Sequence, residues 1–331
     1  MRVALGILGD EGIDEILQEV LLAEKYNFDS VWMSETRFVK DSFSMLGAFA
    51  ALTRKTKLAT AVINPYTRNV VLTALSLATL DHLSRGRAIF GIGAGSPKIL
   101  EKQGIKFRRP LTTVEEYIKG VHLILGGDSA SLQGKFVKFR DVKLDIKPLR
   151  KKIPTYIGAT GQKMLQLAGS IADGVLLNSP TSQDYVRDAV QLVKQGAENA
   201  GRRLNDFDIA SCIDLSVSDD PQKARDVVRP FVATYLAYFP AIARVSGLKE
   251  SFISEVRDQV QKKGVQQAAY LIDDSILSRL TVCGTEDECI TGLKRYLKSG
   301  VTLPVIFPHG SKEDIERAIK TVGIFQLDQP R

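Results

Sequence analysis

The chain has 331 residues, 44 % of them hydrophobic and 25 % charged, which is the composition of a globular protein long enough for a large core. It has no apolar stretch near the roughly 18 residues of a membrane span and no signal-peptide pattern, so we expect neither a membrane protein nor a secreted one. The net charge of +7 is spread along the chain, and its densest basic cluster, at 147–152, lacks interleaved aromatic residues, which argues against a nucleic-acid partner.

Cysteine and histidine are too few and too scattered to organise a metal site or a disulfide framework. The three cysteines contain no CxxC pair, and none of the three histidines has zinc-ligand spacing with a second ligand. We therefore expect a cytoplasmic protein that uses no metal.

Hydrophobic periodicity predicts strands and helices in regular alternation along the chain. Strands are predicted at 3–8, 30–33, 58–63, 87–92, 154–157, 174–177, 207–217 and 301–307. Helical spacing is found at 13–24, 43–52, 70–83, 115–125, 164–168, 185–200, 221–228, 287–297 and 315–322. Eight alternations over this length predict an α/β protein with one (β/α)8 TIM-barrel domain over residues 1–331, not a doubly wound sheet.

Helix starts in two places have the spacing of a capping box. Thr285 is followed by Glu288, and either Thr112 with Glu115 or Thr113 with Glu116 has the same pattern before the fourth helix. We therefore expect that fourth helix to begin close to residue 115.

Two stretches exceed the loops of a simple barrel. Residues 126–152 contain a predicted β-hairpin, with strands at 136–139 and 142–146, inserted before the fifth strand. Residues 229–284 are mostly helical and follow the seventh strand. Neither stretch has the polar low-complexity composition of a linker, so we expect two insertions that line or cover a site.

Active sites of (β/α)8 barrels lie at the C-terminal ends of the strands, so the residues that follow each strand are the candidates. Small and polar residues follow six of the strands: Glu35, Asn64-Pro65-Tyr66, Gly93-Ala94-Gly95, Gly158-Ala159-Thr160-Gly161, Asn178-Ser179-Pro180 and His309. Ordinary loops have the same composition, so position alone does not establish a site.

The segment 158–161 turns from the fifth strand into a helix. A strand, a glycine turn and a helix start expose backbone N–H groups that can bind an anion, although the same layout is an ordinary corner of an α/β protein. The stretch 91–95 has GxGxG spacing and follows a fourth strand, which argues against a nicotinamide fingerprint. Its glycines would instead let a flat ring system approach the backbone closely.

Each polar candidate has a structural alternative. Glu35 can exchange a proton or bind a ring N–H, or it can pair with Arg37 or Arg68 at the rim. His309 is either catalytic or a packed loop residue. The segment 64–66 offers amide and phenol groups to a ligand, or it forms a plain turn.

Four phrases go beyond a generic barrel: VWMSE (31–35), INPYTRN (63–69), FGIGAGSPK (90–98) and IGATGQKMLQLAGSIADGVLLN (157–178). On these phrases the chain resembles the bacterial-luciferase-like superfamily, in register from residue 1 to about 178. Within that superfamily it is most similar to the methylenetetrahydromethanopterin reductases, which use the deazaflavin coenzyme F420.

The resemblance implies an oxidoreductase that transfers hydride between coenzyme F420 and a small organic substrate. That substrate would be 5,10-methylenetetrahydromethanopterin or a related pterin one-carbon carrier. An FMN-dependent monooxygenase of the same superfamily is the alternative, and a barrel that has lost activity is a third. The resemblance also implies a homo-oligomer, either a dimer or a tetramer.

The resemblance further implies where the cofactor binds. Its phosphate is expected at 158–161, and the third strand is expected to bulge at a non-prolyl cis peptide between Ala61 and Val62. Val62 would then press on one face of the deazaflavin ring and leave the other face for substrate. The implied cofactor-binding residues are Glu35, Ala61, Val62, Asn64, Gly93, Ala94, Gly95, Gly158, Ala159, Thr160 and Gly161, with Glu35 also the catalytic candidate.

Three positions depart from the reductases. They carry an acidic residue at the position of Gly6, an Asp-His pair at Glu35-Thr36, and a glycine at Ala61. The loss of the acid at Gly6 removes an expected proton donor to the pterin nitrogen. Glu35 is the candidate to replace it; otherwise the substrate is a different one.

Overall fold

The computed structural model describes residues 1–35 and 38–327. In these ranges the chain forms eleven strands: β1 (Ala4–Ile7), β2 (Ser30–Ser34), β3 (Lys57–Ala61), β4 (Ala88–Gly93), β5 (Ala130–Gln133), β6 (Lys138–Val142), β7 (Thr155–Ala159), β8 (Gly174–Leu177), β9 (Asp208–Val217), β10 (Val282–Gly284) and β11 (Leu303–Pro308).

Helices follow most of the strands. They are α1 (Ile13–Lys25), α2 (Ser42–Leu52), α3 (Val70–Leu83), α4 (Pro97–Lys102), α5 (Pro110–Leu125), α6 (Gln162–Ile171), α7 (Gln183–Asn199), α8 (Pro221–Tyr238), α9 (Pro240–Val245), α10 (Glu250–Lys263), α11 (Val265–Ala269), α12 (Asp274–Leu280), α13 (Glu286–Lys298) and α14 (Lys312–Leu327). Within the described ranges, no helix is both long and apolar enough to cross a membrane.

Eight of the strands close into a parallel barrel, in the order β1-β2-β3-β4-β7-β8-β9-β11, with β11 paired back to β1. The predicted (β/α)8 barrel is therefore confirmed. The short strand β10 pairs in parallel with the end of β9, where Val282 lies opposite Leu215, beyond the point at which β8 has ended.

The barrel interior is filled with side chains in its lower part. Trp32 and Tyr156 meet edge to face there, with ring centroids 5.1 Å apart. The buried members of this interior cluster are Ala4, Trp32, Ala59, Ile89, Tyr156, Leu176, Ala210, Cys212, Leu303, Val305 and Phe307. Because the interior is plugged, a ligand can only bind above this layer, at the C-terminal ends of the strands.

A separate apolar core holds the helical insertion together. Side chains of α8, α10, α11 and α12 form it, among them Val232, Leu236, Val256 and Leu277, all fully buried. The insertion also includes β10, which periodicity did not predict. Its first helix, α8, begins before residue 229 and runs into the insertion without interruption.

The hairpin prediction was wrong in its register. The paired strands are β5 and β6, not 136–139 and 142–146, and the segment between them is the turn. Glu116 explains the shift, since its carboxylate accepts hydrogen bonds from the backbone N–H groups of Lys135, Phe136 and Val137, at 2.8, 2.8 and 3.0 Å. An apolar phenylalanine at 136 therefore marks the turn, where its side chain is exposed.

The capping boxes give one correct prediction and one wrong one. Thr285 and Glu288 form the reciprocal pair at the start of α13. The helix predicted to begin near 115 begins instead at Pro110, so Thr112 and Thr113 lie inside it. Proline suits the first position of a helix because its missing N–H would have had no helical partner there.

Candidate active site

A half-buried valine forms part of the floor at the mouth of the barrel. The peptide bond between Ala61 and Val62 is cis, as the resemblance implied. A Cβ atom at Gly93 would lie 2.7 Å from Val62 Cγ2, and one at Gly158 would lie 3.2 Å from both Val62 methyl groups. The two glycines therefore make room for Val62. Together with Ala61 and Leu8, Val62 packs on the interior cluster and presents an apolar surface suited to a flat ring.

This geometry changes the role expected for the glycines after the fourth barrel strand. The missing side chain of Gly93 leaves room for a methyl group of Val62. Ala94 is half-buried and packs on the outer core, and Gly95 is exposed in the loop that leads to α4. Direct contact of 93–95 with a cofactor stays a prediction.

Glu35 belongs to a charged cluster at the end of β2. Its Oε1 accepts a hydrogen bond from Arg68 Nε at 2.6 Å, and its Oε2 accepts from Ser42 Oγ and from a second nitrogen of Arg68 at 3.3 Å. Only 7 % of the Glu35 side chain is exposed. Arg68 also pairs with Asp41. Of the two arginines considered as partners, Arg68 is the one seen; Arg37, like Thr36, lies outside the described residues.

Hydrogen bonds within this cluster lower the pKa of Asp41 and position Arg68. Burial tends to raise the pKa of Asp41, but hydrogen bonds from Ser44 and Arg68 outweigh it, and the pKa is lowered. Tyr117 donates from its hydroxyl to the Arg68 carbonyl oxygen at 3.0 Å and so positions the arginine backbone. Glu35 is therefore held as a hydrogen-bond acceptor between two donors.

The segment 64–66 forms a turn. Asn64 is 2 % exposed, and its Oδ1 accepts from the backbone N–H of Tyr66 at 2.9 Å. The Tyr66 hydroxyl donates to the carbonyl oxygen of Arg108 at 2.6 Å. These contacts match the turn alternative, while a contact between Asn64 and a cofactor stays a prediction.

The turn after β7 leaves a helix end open. Ala159 ends the strand, and Gly161 precedes α6 without a side-chain cap. The Thr160 carbonyl oxygen accepts from the Tyr185 hydroxyl at 2.8 Å, which fixes the turn from α7. Because Gly161 has no side chain with which to cap α6, the N–H groups of Gln162 and Lys163 in its first turn are available to an anion.

Phe307 occupies the space beside Gly6 on the inner wall. The two residues lie on the neighbouring strands β11 and β1, and a Cβ atom at Gly6 would overlap the Phe307 ring. The position at which the reductases carry an acid is thus filled by an apolar ring from the next strand.

Sequence reasoning named His309 but missed its partner. His309 Nε2 lies 2.9 Å from Asp214 Oδ1, and Asp214 is fully buried. The other oxygen, Oδ2, is buried with no hydrogen-bond partner among the described residues. The Phe231 ring of α8 packs on the imidazole with centroids 4.5 Å apart. The signal was available in β9, where period-two alternation places Asp214 on the same inward face as Ala210 and Cys212.

Comparison with known proteins agrees with this geometry. Residues 2–303 match the luciferase-like monooxygenase family. The chain is 33 % identical to a 5,10-methylenetetrahydromethanopterin reductase of Methanolobus tindarius, over 98 % of each chain. It is 32 % identical to the protein of the same name from Archaeoglobus fulgidus, also over 98 % of each chain.

Solved structures of F420-dependent enzymes are also similar to this chain. The coenzyme F420-dependent tetrahydromethanopterin reductase of Methanopyrus kandleri superposes with a TM-score of 0.88 at 28 % identity, over 97 % of each chain. An F420-dependent secondary alcohol dehydrogenase, at 20 % identity and a TM-score of 0.78, shares the fold. The chain belongs to the luciferase-like monooxygenase family.

Proposed function

We propose that this protein is a coenzyme F420-dependent oxidoreductase that reduces 5,10-methylenetetrahydromethanopterin or a related pterin-bound one-carbon unit. The observation that carries the proposal is the pairing of two features at one rim. Val62 offers an apolar surface for a flat ring, and the uncapped start of α6 offers backbone N–H groups for a phosphate. The full-length relatives at 32–33 % identity bear the name of this activity.

The residues present fit a deazaflavin. Ala61 and Val62 would support one face of its ring, and the segment 158–161 with the first turn of α6 would hold its phosphate. Bound there in its reduced form, the cofactor supplies a hydride. The chain supplies orientation, an apolar surface under the ring and an anion site.

Glu35 is proposed to help hold the cofactor from the second barrel strand. Its contacts with Arg68 and Ser42 keep the residue at the rim in one orientation. The catalytic role predicted for Glu35 is tested by Glu35→Gln, which keeps the shape and removes the charge. If Glu35 is the proton donor, turnover should fall about 100-fold or more.

A titration of the purified protein with coenzyme F420 and with FMN tests the cofactor. We expect a change in the F420 absorbance on binding and no tight binding of FMN. A yellow protein that retains FMN, ignores F420 and consumes oxygen would instead be an FMN-dependent monooxygenase, the activity for which the family is named.

A pair of variants at one position tests the phosphate site. Apart from its chain neighbours, no described residue has an atom within 4 Å of a Cβ built at Gly161, so neither an alanine nor an aspartate is excluded there. Gly161→Asp places a carboxylate at the proposed anion site and should weaken F420 binding more than about tenfold, or about 1.4 kcal/mol. Gly161→Ala is the uncharged control and should bind normally. Equal affinities in the two variants would refute the phosphate site.

We also propose that the protein acts in the cytoplasm as a homo-oligomer. The exposed faces of α2 and α3 carry Leu52, Leu72 and Leu75, which are 40 %, 62 % and 38 % exposed. Neither face presents a charged side chain, so a second copy of the same surface is a suitable partner. Light scattering should report a dimer or larger assembly that Leu72→Lys dissociates.

A further inference from the structure

We propose that His309, held by Asp214, donates the proton that the substrate nitrogen needs when hydride is transferred. This inference rests on the function proposed above. It assigns a role to an imidazole and a buried carboxylate that lie outside both the proposed cofactor surface and the proposed anion site.

The strand order places this pair opposite the cofactor surface. In the closed ring of eight strands, β3 and β9 are separated by four steps in either direction. Val62 directly follows β3, whereas Asp214 lies on β9 and His309 follows the neighbouring β11. A ring supported by Val62 on one face therefore has its other face turned toward Asp214 and His309. Substrate must lie in that gap to receive hydride.

The contacts of the pair prepare the imidazole for proton transfer. A carboxylate accepts hydrogen bonds and does not donate them, so the 2.9 Å contact with Asp214 fixes a hydrogen on Nε2 of His309. The remaining nitrogen, Nδ1, is then the atom through which the ring exchanges a proton. Phe231 packs on the imidazole and limits its rotation. Such a carboxylate–imidazole pair is a common general acid–base arrangement.

Two other candidates for the donor are less suitable. Position 6 carries no side chain, and Phe307 fills the space beside it. Glu35 accepts hydrogen bonds from Arg68 and Ser42 through both of its oxygens. In contrast, Asp214 Oδ2 is buried with no hydrogen-bond partner in the described part of the chain, a costly arrangement that is expected where a charge serves a neighbouring group.

The proposed step balances in atoms and electrons. The methylene carbon of the substrate would gain a C–H bond from the hydride that a reduced deazaflavin supplies. One C–N bond to the pterin would open, and its electron pair would stay on nitrogen, which takes the proton from Nδ1 of His309. His309 would be protonated again from solvent, which also receives the proton left over from the two-electron oxidation of the cofactor.

The kinetic test compares three variants with the unmodified protein. His309→Gln should lower kcat about 100-fold or more and leave the affinity for F420 unchanged. His309→Ala should show a similar loss that added imidazole partly restores, which a purely structural residue would not show. The control is His82→Gln, since His82 bonds the carbonyl oxygen of Lys147 far from the site and should keep full activity.

Asp214 is assigned a positioning role, which is tested without cofactor. In protein labelled with 15N-histidine there are only three imidazoles, so His309→Gln identifies the resonances of His309. An asparagine amide can donate as well as accept, so Asp214→Asn should change the ring-nitrogen resonances of His309. Asp214→Glu should restore part of the kcat lost in Asp214→Asn.

The outcomes separate this inference from the proposed function. If the unmodified protein does not reduce the pterin, the proposed function fails and the role of His309 fails with it. If the unmodified protein is active and His309→Gln keeps kcat within about threefold, only the role of His309 is overturned. Unchanged His309 resonances in Asp214→Asn would overturn the positioning role.

Discussion

Gly6 and Phe307 form one unit on the inner wall of the barrel. Position 6 has no side chain, and the ring of the residue opposite it on β11 uses the space. An acid at position 6 would compete with the Phe307 ring for one volume. Replacing Gly6 by an acid therefore involves two positions of this chain, on adjacent strands.

Gly6→Glu should destabilise the protein instead of adding activity. Overpacking a filled interior costs about 1–3 kcal/mol, and burying a carboxylate beside an aromatic ring adds to that cost. The double variant Gly6→Glu with Phe307→Ala should recover part of the stability. Urea unfolding measures both, with Phe307→Ala alone as the control. If Gly6→Glu unfolds at the same urea concentration as the unmodified protein, the Phe307 ring does not fill the space beside Gly6.

Local sequence predicts those site residues whose partners are close along the chain or whose role is in the backbone. The cis peptide before Val62 was expected from the family resemblance, and Arg68 was one of the two arginines considered as partners of Glu35. Asp214 was not, because its partner His309 lies 95 residues away. That contact exists only because β9 and β11 are neighbours, with Asp214 level with Phe307. Strand adjacency is a property of the closed barrel and cannot be read from one strand.

At the scale of elements, helix α1 presents two glutamates in opposite environments. Burial tends to raise the pKa of Glu24, but hydrogen bonds from the Thr56 hydroxyl and from the N–H groups of Thr56, Arg54 and Lys55 lower it to about 2. Burial, reinforced by neighbouring carboxylates led by Glu11, raises the pKa of Glu19 to about 8. Glu24 thus binds the loop before β3 through its carboxylate. Glu19 is instead buried and is protonated more easily than an exposed glutamate.

Glu24→Gln should weaken the anchor between α1 and the loop before β3. The lowered pKa means that the carboxylate contributes stability above about pH 4.5, and that this contribution is lost as the pH falls toward 2. We expect a loss of about 1–2 kcal/mol at pH 7, reduced by solvent screening at this partly exposed site. Chemical unfolding at pH 7 and at pH 2.5 checks it. A difference that stays constant between the two would contradict the assignment.

Glu19→Gln should have the opposite dependence on pH. Because the folded-state pKa is raised, the protonated side chain is tolerated at low pH, and stability is lost as the pH rises through about 8. The variant and the unmodified protein should be equally stable near pH 5. At pH 9 the variant should be more stable by about 2 kcal/mol, since a buried charge is avoided. Thermal unfolding across this range measures the divergence of the two stabilities, and Glu198→Gln on the exposed face of α7 is the control.

The hydrophobic periodicity of the sequence predicts most of the helices and strands. Each wrong or missing prediction has a local cause. Alternation and helical spacing predicted the eight barrel strands to within about two residues at most ends. The predicted register of the hairpin was wrong because Glu116, on α5, accepts hydrogen bonds from the backbone of the turn at 135–137. The strand β10 was missed because three residues are too few to show a period, and the end of β9 is what makes them a strand.

At the scale of the whole molecule, the barrel is closed by the two ends of the chain. β1 pairs with β11, and α14 packs beside α1. A single side chain ties these parts together. Gln326 accepts from the backbone N–H of Val3 at 3.0 Å and donates to the carbonyl oxygens of Tyr26 and Asn27, both at 3.0 Å. It is 7 % exposed, so water does not replace these bonds easily.

Gln326→Ala should destabilise the closed barrel by about 2–3 kcal/mol, because it leaves the buried N–H of Val3 without a partner. Urea unfolding measures the loss, with Gln266→Ala on the exposed face of α11 as the control. Gln326→Met, which keeps the length and removes the hydrogen bonds, separates packing from bonding and should lose nearly as much. Hydrogen exchange should then rise first at the N-terminus of β1. If Gln326→Met is as stable as the unmodified protein, Gln326 contributes packing alone. If exchange rises equally in every strand, the hydrogen bonds of Gln326 do not hold β1 in place, and the strand pairs close the barrel without them.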